Sequence, residues 1–457
     1  MKLSVWLAGL SVVAVLATAQ HSQTLVKKKA APKANAKAST RAGESMRRKA
    51  SGHLVKSRRG KRPSRPVSPE ARASALSQVS ERMTAAESHI ENASALEPFF
   101  SRLEVSRQNS PQPVHILQFG DSHTASDDWV DAMRQIFQSR FGVGGPGYVM
   151  PGRPFKGYRR FDSKGDSSAG WETEGTTTHP GDGRTGLGGI SITAGAPGRM
   201  VGVTTSSEEL VLLYLQQPGG GVFTVECDGS LVDTVNTDGA VDTGAFRLTP
   251  QPGEHTWTIR TRSYGPVRLF GWIPENKSGV TWETLGINGA QAAMILGWDP
   301  SLWARQIALR DPGLIVLAYG TNEANSRTFA PETYHGELLE LVARFRRAAP
   351  NAALLMVGPP DCGRSRPLLH LDEVIEIQRA VARASGVSFW DWREHMGGPR
   401  SITKWVRAGL GQADHIHLTG SGYRLLGQTL AEEIDGEYRR HLAAKDERSA
   451  AASESHD

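Results

Sequence analysis

Two cysteines are few for a chain of 457 residues, and Cys227 and Cys362 are the only ones. A disulfide framework is therefore excluded. Neither residue sits in a CxxC or another metal-ligand spacing. They fall in different structural units by the pattern along the chain, so they are expected to be unpaired. Past the N-terminus no segment is long and apolar enough to span a bilayer, and no internal repeat is evident. Acidic residues are nearly missing from one stretch: residues 26–66 hold fifteen Lys/Arg and one acid, Glu44. Ala, Ser and Pro fill the gaps without a periodic apolar face, which predicts a disordered basic tail. The net charge of +6 thus misleads. With the +14 of the tail and Lys2 set aside, residues 67–457 carry −9.

The first residues read MKLSVWLAGLSVVAVLATAQ. A short positive start at Lys2, a mostly apolar run from Leu3 to Leu16 and the small-x-small site Ala17-Thr18-Ala19 predict a signal peptide over 1–19. Lys27, Lys28 and Lys29 follow closely, and positive charge resists export. An uncleaved anchor segment is therefore the alternative. The expected location is outside the cytoplasm, periplasmic or extracellular, with tethering through that segment as the variant. For an exported chain, a basic tail over 20–66 suits contact with an anionic wall polymer or a membrane surface rather than nucleic acid. A plain solvated linker is the bland reading.

A chain of this length suggests about two domains. Residues 67–111 read as a helical lead-in, with Leu76, Val79, Met83, Ala86 and Ile90 at helical intervals. From Val114 the pattern turns α/β. "VHILQFG" (114–120), "LIVLAYGT" (314–321), "ALLMVGPP" (353–360) and "VSFWDW" (387–392) are short apolar runs of the kind buried on both faces. Helical stretches follow them, at 127–141, 331–348, 372–384 and 421–440. Alternation of this kind implies a parallel sheet between helices. Residues 151–272 break the rhythm. "ISITAG", "ELVLLYLQQ", "GVFTVECDGS", "GAFRLTP", "HTWTIRTR" and "VRLFGWIPE" are strand-like runs separated by turn residues, the signature of an antiparallel sandwich. Residues 112–150 and 273–440 then form one α/β domain carrying an inserted β-sandwich, and 441–457 is expected to be a disordered C-terminal tail.

Four short pieces carry the chemistry: "GDSH" (120–123), "GINGAQA" (286–292), "YGTNEA" (319–324) and "DHIHLT" (414–419). Ser122 follows a strand and precedes a helix, where a hydroxyl is exposed and its own N–H is available. Gly120 is expected to permit a sharp turn. Alone, this stretch is a helix start with several candidate caps. Asp414 and His417 are three apart, so on a turn the carboxylate reaches one imidazole nitrogen and leaves the other to accept the serine proton. Gly289 offers a backbone N–H with no side chain in the way, and Asn322 a side-chain amide. Together the pieces supply a nucleophile (Ser122), its base (His417), the base's orienting group (Asp414) and an oxyanion hole (Ser122, Gly289, Asn322), every role that acyl transfer requires. Capping then falls to Thr124, Ser126 or Asp127. No metal or cofactor is needed.

This order of blocks resembles the SGNH, or GDSL-like, hydrolase superfamily. The GxSxG elbow of the other large esterase fold does not occur. The resemblance implies a flavodoxin-like three-layer α/β/α fold and a serine esterase. Glu323 departs from the family, whose third block commonly has Asp after Asn. "FGDSHTA", "GVGGPGYVMPG" (142–152), the β insert and "YGTNEA" look like secreted bacterial peptidoglycan O-acetylesterases, whose sandwich is similar to carbohydrate-binding modules. The implied substrate is an acetylated glycan, with the acetyl on the 6-hydroxyl of N-acetylmuramic acid first. An acetyltransferase with the same triad, or a deacetylase of xylan or another polysaccharide, is the alternative. His123, Trp390, His395 and Gly397 are expected substrate contacts. Tyr158, Phe161, Trp171, Tyr214 and Trp257 of the insert are either sugar-stacking or core.

Overall fold

The computed structural model describes residues 67–85, 90–107, 112–363 and 368–454. The expected signal segment (1–19) and basic tail (20–66) lie outside the described residues. Among those described, no helix is long and apolar enough to cross a membrane.

Five parallel strands make the central sheet, in the order Val280–Gly286, Val114–Gly120, Leu314–Ala318, Ala353–Val357 and Ser388–Trp390. Numbered along the chain this is 2-1-3-4-5, the flavodoxin-like order. Every residue of the first four strands is buried. Alternate side chains face opposite layers, as the period of two dictates. Leu117, Phe119, Ile315, Leu317, Leu354 and Met356 join a core with Trp303, Leu341, Phe345 and Val374 from the helices Pro300–Arg310, Pro331–Ala348 and Leu371–Ala384. Ile116, Leu314, Val316, Leu355 and Val357 face Trp129, Met133 and Phe137 of the helix Asp128–Phe141 and Leu426, Leu430 and Ile434 of the helix Gly420–Glu454. The spacing of four in each helical set makes one apolar stripe. The three layers are thus helix, sheet and helix.

The order also fixes where a site forms. The chain leaves the first strand toward one edge and returns to the third on its other side. The loops after these neighbouring strands diverge, and a crevice opens at their carboxyl ends. Ser122 follows the first strand, Gly289 the second and Asn322 the third.

Between Phe141 and Val280 lie two antiparallel five-stranded sheets. One pairs Lys164–Ser167, Met200–Ser206, Glu254–Thr261, Val222–Cys227 and Ser230–Asn236; the other pairs Glu172–Glu174, Ser191–Ala194, Val267–Glu275, Glu209–Gln216 and Asp242–Leu248. Leu210, Leu212, Tyr214, Trp257, Leu269 and Trp272 fill the space between them. Val211, Leu213, Leu215 and Ile273 point the other way, into the α/β core. The strands Glu209–Gln216 and Val267–Glu275 of the second sheet are therefore buried on both faces, which explains the uninterrupted apolar run "LVLLYL".

Several expectations need correction. The tail expected at 441–457 is helical as far as Glu454, because the last helix runs on. His441 lies against Phe100, Leu442 packs on the core and Lys445 pairs with Glu104 at 2.6 Å. In the helix Pro69–Ala85 the buried residues are Ala75 and Val79, whereas Leu76 is exposed. The expectation for the cysteines holds: both are free thiols. Tyr214 and Trp257 are sandwich core, Trp171 is half-buried, and Phe161 is exposed beneath the Arg159 guanidinium, 5.2 Å from its ring centre.

Candidate active site

The strand Val114–Gly120 delivers the first block. Gly120 does not have the positive φ that a glycine turn would need. Its requirement is space: a Cβ there would lie 2.2 Å from Thr124 Oγ1 and 2.8 Å from the carbonyl of Ala318. Asp121 caps the short helix Ser122–Ala125 by accepting from the His123 N–H at 2.9 Å. The cap expected at Thr124, Ser126 or Asp127 is thus Asp121 instead. Asp127 precedes the next helix in a left-handed conformation and makes no side-chain cap. Its buried carboxylate is taken by Arg134 at 2.7 Å and by the Phe161 N–H at 2.8 Å. With its cap supplied by a neighbour, the half-buried Ser122 hydroxyl is left to other work.

That hydroxyl lies 2.9 Å from His417 Nε2. On the other side of the ring, Nδ1 is 2.8 Å from Asp414 Oδ2. The second carboxylate oxygen of Asp414 accepts from the N–H groups of Ile416 and His417, at 2.9 and 3.0 Å. This is an Asx turn, and it explains the spacing of three. Gln412 donates its N–H to the His417 carbonyl at 2.8 Å, and Gly411 bridges Leu418, closing the loop. Burial alone would raise the Asp414 pKa; hydrogen bonds from the His417 ring and from the two N–H groups outweigh it, and the carboxyl is held below its usual value. An ionised Asp414 keeps the proton on Nδ1 and leaves the Nε2 lone pair facing the serine.

Gly289 has φ +77, a conformation that favours glycine. Among the described residues no acceptor takes its N–H, and the Ser122 N–H, at the first position of its helix, is equally open. The Asn322 amide donates to the Ala290 carbonyl at 2.9 Å, which ties the third block to the second, and lies 3.4 Å from Asp121 Oδ2. The longer Glu323 serves the same tie: its Oε1 accepts from the Ala292 N–H at 2.7 Å. Burial pushes both Asp121 and Glu323 up to a pKa of about 7. A protonated Asp121 places no negative charge beside the position an oxyanion would occupy.

The expected substrate contacts fare differently. His123 is buried, with its ring 5.2 Å from that of His417 and Nδ1 2.7 Å from the Tyr423 hydroxyl. Burial, and then the neighbouring His417, depress its pKa to about 3, so it backs the base as a neutral ring. Trp390 and His395 do not wall a pocket. They stack in the interior and share Glu433, at 3.0 and 2.8 Å. Gly397 ends the helix Trp392–His395 with φ +106 and its N–H on the Glu394 carbonyl. Asp121 and Tyr423 were not singled out from sequence. Asp121 carries a legible signal, an Asp at a helix N-cap; Tyr423 carries none.

The arrangement can deprotonate Ser122 and offer an oxyanion the open N–H groups of Ser122 and Gly289, with the Asn322 amide able to join them by giving up its 3.4 Å contact with Asp121, which is the equipment of acyl transfer. Residues 254–425 match the GDSL-like lipase/acylhydrolase family. That span holds Gly289, Asn322, Asp414 and His417; Ser122 lies before it, separated by the insert. A solved structure of a peptidoglycan O-acetylesterase is similar at 28% identity, covering 75% of this chain and 96% of its own, with a TM-score of 0.65. A family two carbohydrate esterase from Clostridium thermocellum, bound to cellohexaose, shares 14% identity over 54% of this chain and 94% of its own, at a TM-score of 0.29. One from Cellvibrio japonicus shares 12% over 61% and 98%, at 0.27. These two are too remote to carry an argument. No curated relative matches significantly.

Proposed function

We propose that this chain is an exported serine acetylesterase acting on a cell-wall glycan; the match of residues 254–425 to the GDSL-like lipase/acylhydrolase family and the similarity to a peptidoglycan O-acetylesterase support a carboxylic ester hydrolase. The substrate in this reading is the acetyl ester on the 6-hydroxyl of peptidoglycan N-acetylmuramic acid. The observation that carries it is the continuous path from Ser122 Oγ through His417 to Asp414, at 2.9 and 2.8 Å. The similarity to a peptidoglycan O-acetylesterase supports the choice of glycan. Export, by the N-terminal signal segment, would bring the enzyme to the wall.

His417 Nε2 takes the proton as Ser122 Oγ attacks the acetyl carbonyl carbon. The carbonyl oxygen becomes an oxyanion and accepts from the N–H groups of Ser122 and Gly289 and from the Asn322 amide. As the tetrahedral adduct collapses, His417 returns its proton to the departing sugar oxygen, leaving acetyl-serine. Water then attacks the acetyl carbon, His417 takes its proton and passes it to Ser122 Oγ, and acetate leaves. The His417 and Asp414 side chains are 33% and 44% exposed. Water therefore reaches the base, as the hydrolytic half of the reaction requires.

The test is acetate release from O-acetylated peptidoglycan beside acetylated xylan, with wild type and Ser122→Ala. Release from peptidoglycan by wild type alone is the expected result. Undiminished release by the variant would remove the triad, and a preference for xylan would overturn the glycan.

A further inference from the structure

We propose that the segment 149–165 of the insert forms a carboxylate-binding site flanking the esterase centre, so that the enzyme favours an acetylated glycan that itself carries carboxylates. The inference rests on the reading above and sharpens it to the anionic part of the substrate.

A cavity of about 550 Å³ opens along this segment, lined by Arg153, Lys156, Arg159 and Lys164 with the rings of Phe155 and Tyr158, and no Asp or Glu lines it. This concentration of cations runs against the −9 of residues 67–457. Some of the charge is already used. Arg160 is buried and committed to Asp162 and to the carbonyls of Tyr148 and Pro146. Arg159 pairs with Asp128. Arg153 reaches only the carbonyl of Gly165, at 3.3 Å. Among the described residues neither Lys156 nor Lys164 makes an ion pair within 4 Å, although Lys164 also lines an adjoining cavity that holds Asp162 and Glu254. Arg153, Lys156 and Lys164 are all exposed. Three exposed cations that make no ion pair of their own around one concavity attract an anion and hold it by charge-assisted hydrogen bonds.

The position links the cavity to the reacting ester. Asn288, the neighbour of Gly289, donates its amide to the Lys156 carbonyl at 2.8 Å. Arg159 Nε donates to the carbonyl of Ser126, four residues after Ser122, at 2.6 Å. The segment is thus fastened to both the nucleophile block and the oxyanion block. Phe155 and Tyr158 stand 5.6 Å apart and half-buried, giving a sugar apolar faces beside the cations. N-acetylmuramic acid carries a free lactyl carboxylate where no peptide is attached; where one is, that carboxyl is an amide and the peptide supplies the carboxylates. Xylan backbone sugars carry none.

The test compares kcat/KM for O-acetylated muropeptides, the same muropeptides with carboxylates converted to amides, acetylated xylo-oligosaccharides and nitrophenyl acetate. Wild type is set against Arg153→Gln/Lys156→Gln/Lys164→Gln. Each lost exposed ion pair is worth up to about fivefold, so the ratio of muropeptide to nitrophenyl acetate kcat/KM should fall roughly tenfold to a hundredfold. The fall should lie mainly in KM, because the contact is made equally in ground and transition states. Amidation should reproduce it in wild type, and added salt should shrink it. Muropeptide turnover that ignores both amidation and the three substitutions would overturn this inference and leave the proposed function standing. Preference of wild type for xylo-oligosaccharides would overturn both.

Discussion

Replacing Asp414 by Asn is expected to damage catalysis more than replacing it by Ala, although Asn is the closer shape. The reason lies in the two backbone donors. Ile416 and His417 both give their N–H groups to Asp414 Oδ1. In the Asn variant they would hold the carboxamide oxygen in that place. The NH₂ group would then occupy the position of Oδ2, 2.8 Å from His417 Nδ1. A donor there selects the tautomer with its proton on Nε2, so the nitrogen facing Ser122 has no lone pair to offer. The Ala variant loses something else, the carboxylate's stabilisation of the imidazolium. Two charges about 4 Å apart at an effective dielectric near 20 interact by about 4 kcal/mol. With the two side chains 33% and 44% exposed, solvent screening makes that an upper bound. The Ala variant should lose roughly 10²- to 10³-fold in kcat, and the Asn variant about 10⁴-fold, because its base is blocked outright. Nitrophenyl acetate hydrolysis across neutral pH measures both, with thermal melts to show that each variant is folded. An Asn variant as active as the Ala variant would refute the argument that the Asx turn fixes the tautomer.

Glu323 should make stability fall with rising pH. Its folded pKa of about 7 lies above the ordinary 4.5, so between these values the folded state binds more protons than the unfolded one and stability is lost as pH rises. Glu323→Gln keeps an acceptor for the Ala292 N–H without ionising; its melting temperature should gain on wild type from acid to alkaline pH, and parallel curves would count against a buried, titrating Glu323. Arg134→Ala should cost about 3 kcal/mol in urea unfolding, because it removes the nearer cation from the buried Asp127 carboxylate and leaves Arg160 at 3.9 Å; a loss under about 1 kcal/mol, the range of an exposed pair, would contradict the burial.

The α/β rhythm was legible because its strands are apolar throughout, as in Leu314–Ala318 and Ala353–Val357. The strand Val280–Gly286 was missed for the opposite reason. "VTWETLG" places Thr281, Glu283 and Thr284 in the interior, where Glu283 is paired with Arg310 at 2.6 Å and Thr284 accepts from Arg134. A strand whose buried polar groups pair with distant helices looks like a surface segment in one dimension. The same holds for Met200–Ser206 and Ser230–Asn236, where polar residues face outward and blunt the apolar signal. The relay was readable because its spacing is local, three residues from Asp414 to His417. The expectation for Trp390 and His395 failed because aromatic and histidine side chains at a strand end fit a satisfied interior equally well. Trp390 and His395 find their partner in Glu433, some forty residues on, and no local pattern announces it.

The insert's point of entry explains how a large sandwich coexists with a site assembled from four blocks. It leaves after the helix Asp128–Phe141 and returns at Val280, where Gly142, Val143 and Gly144 run beside the start of the second strand. Both ends therefore lie at the amino end of the sheet, away from the loops that carry Ser122, Gly289 and Asn322. Adding residues there leaves the catalytic loops at their short lengths. Closing a longer loop costs little more than a shorter one, and the second sheet repays it by burying Val211, Leu213 and Leu215 in the α/β core. From that anchorage the segments around Lys156 and Thr177 reach the carboxyl side, where they touch Asn288 at 2.8 and 3.4 Å. The contacts among Ser122, His417 and Asp414 lie wholly in the α/β domain, so under the proposed function the insert can vary what lies beside the ester without moving the atoms that cleave it.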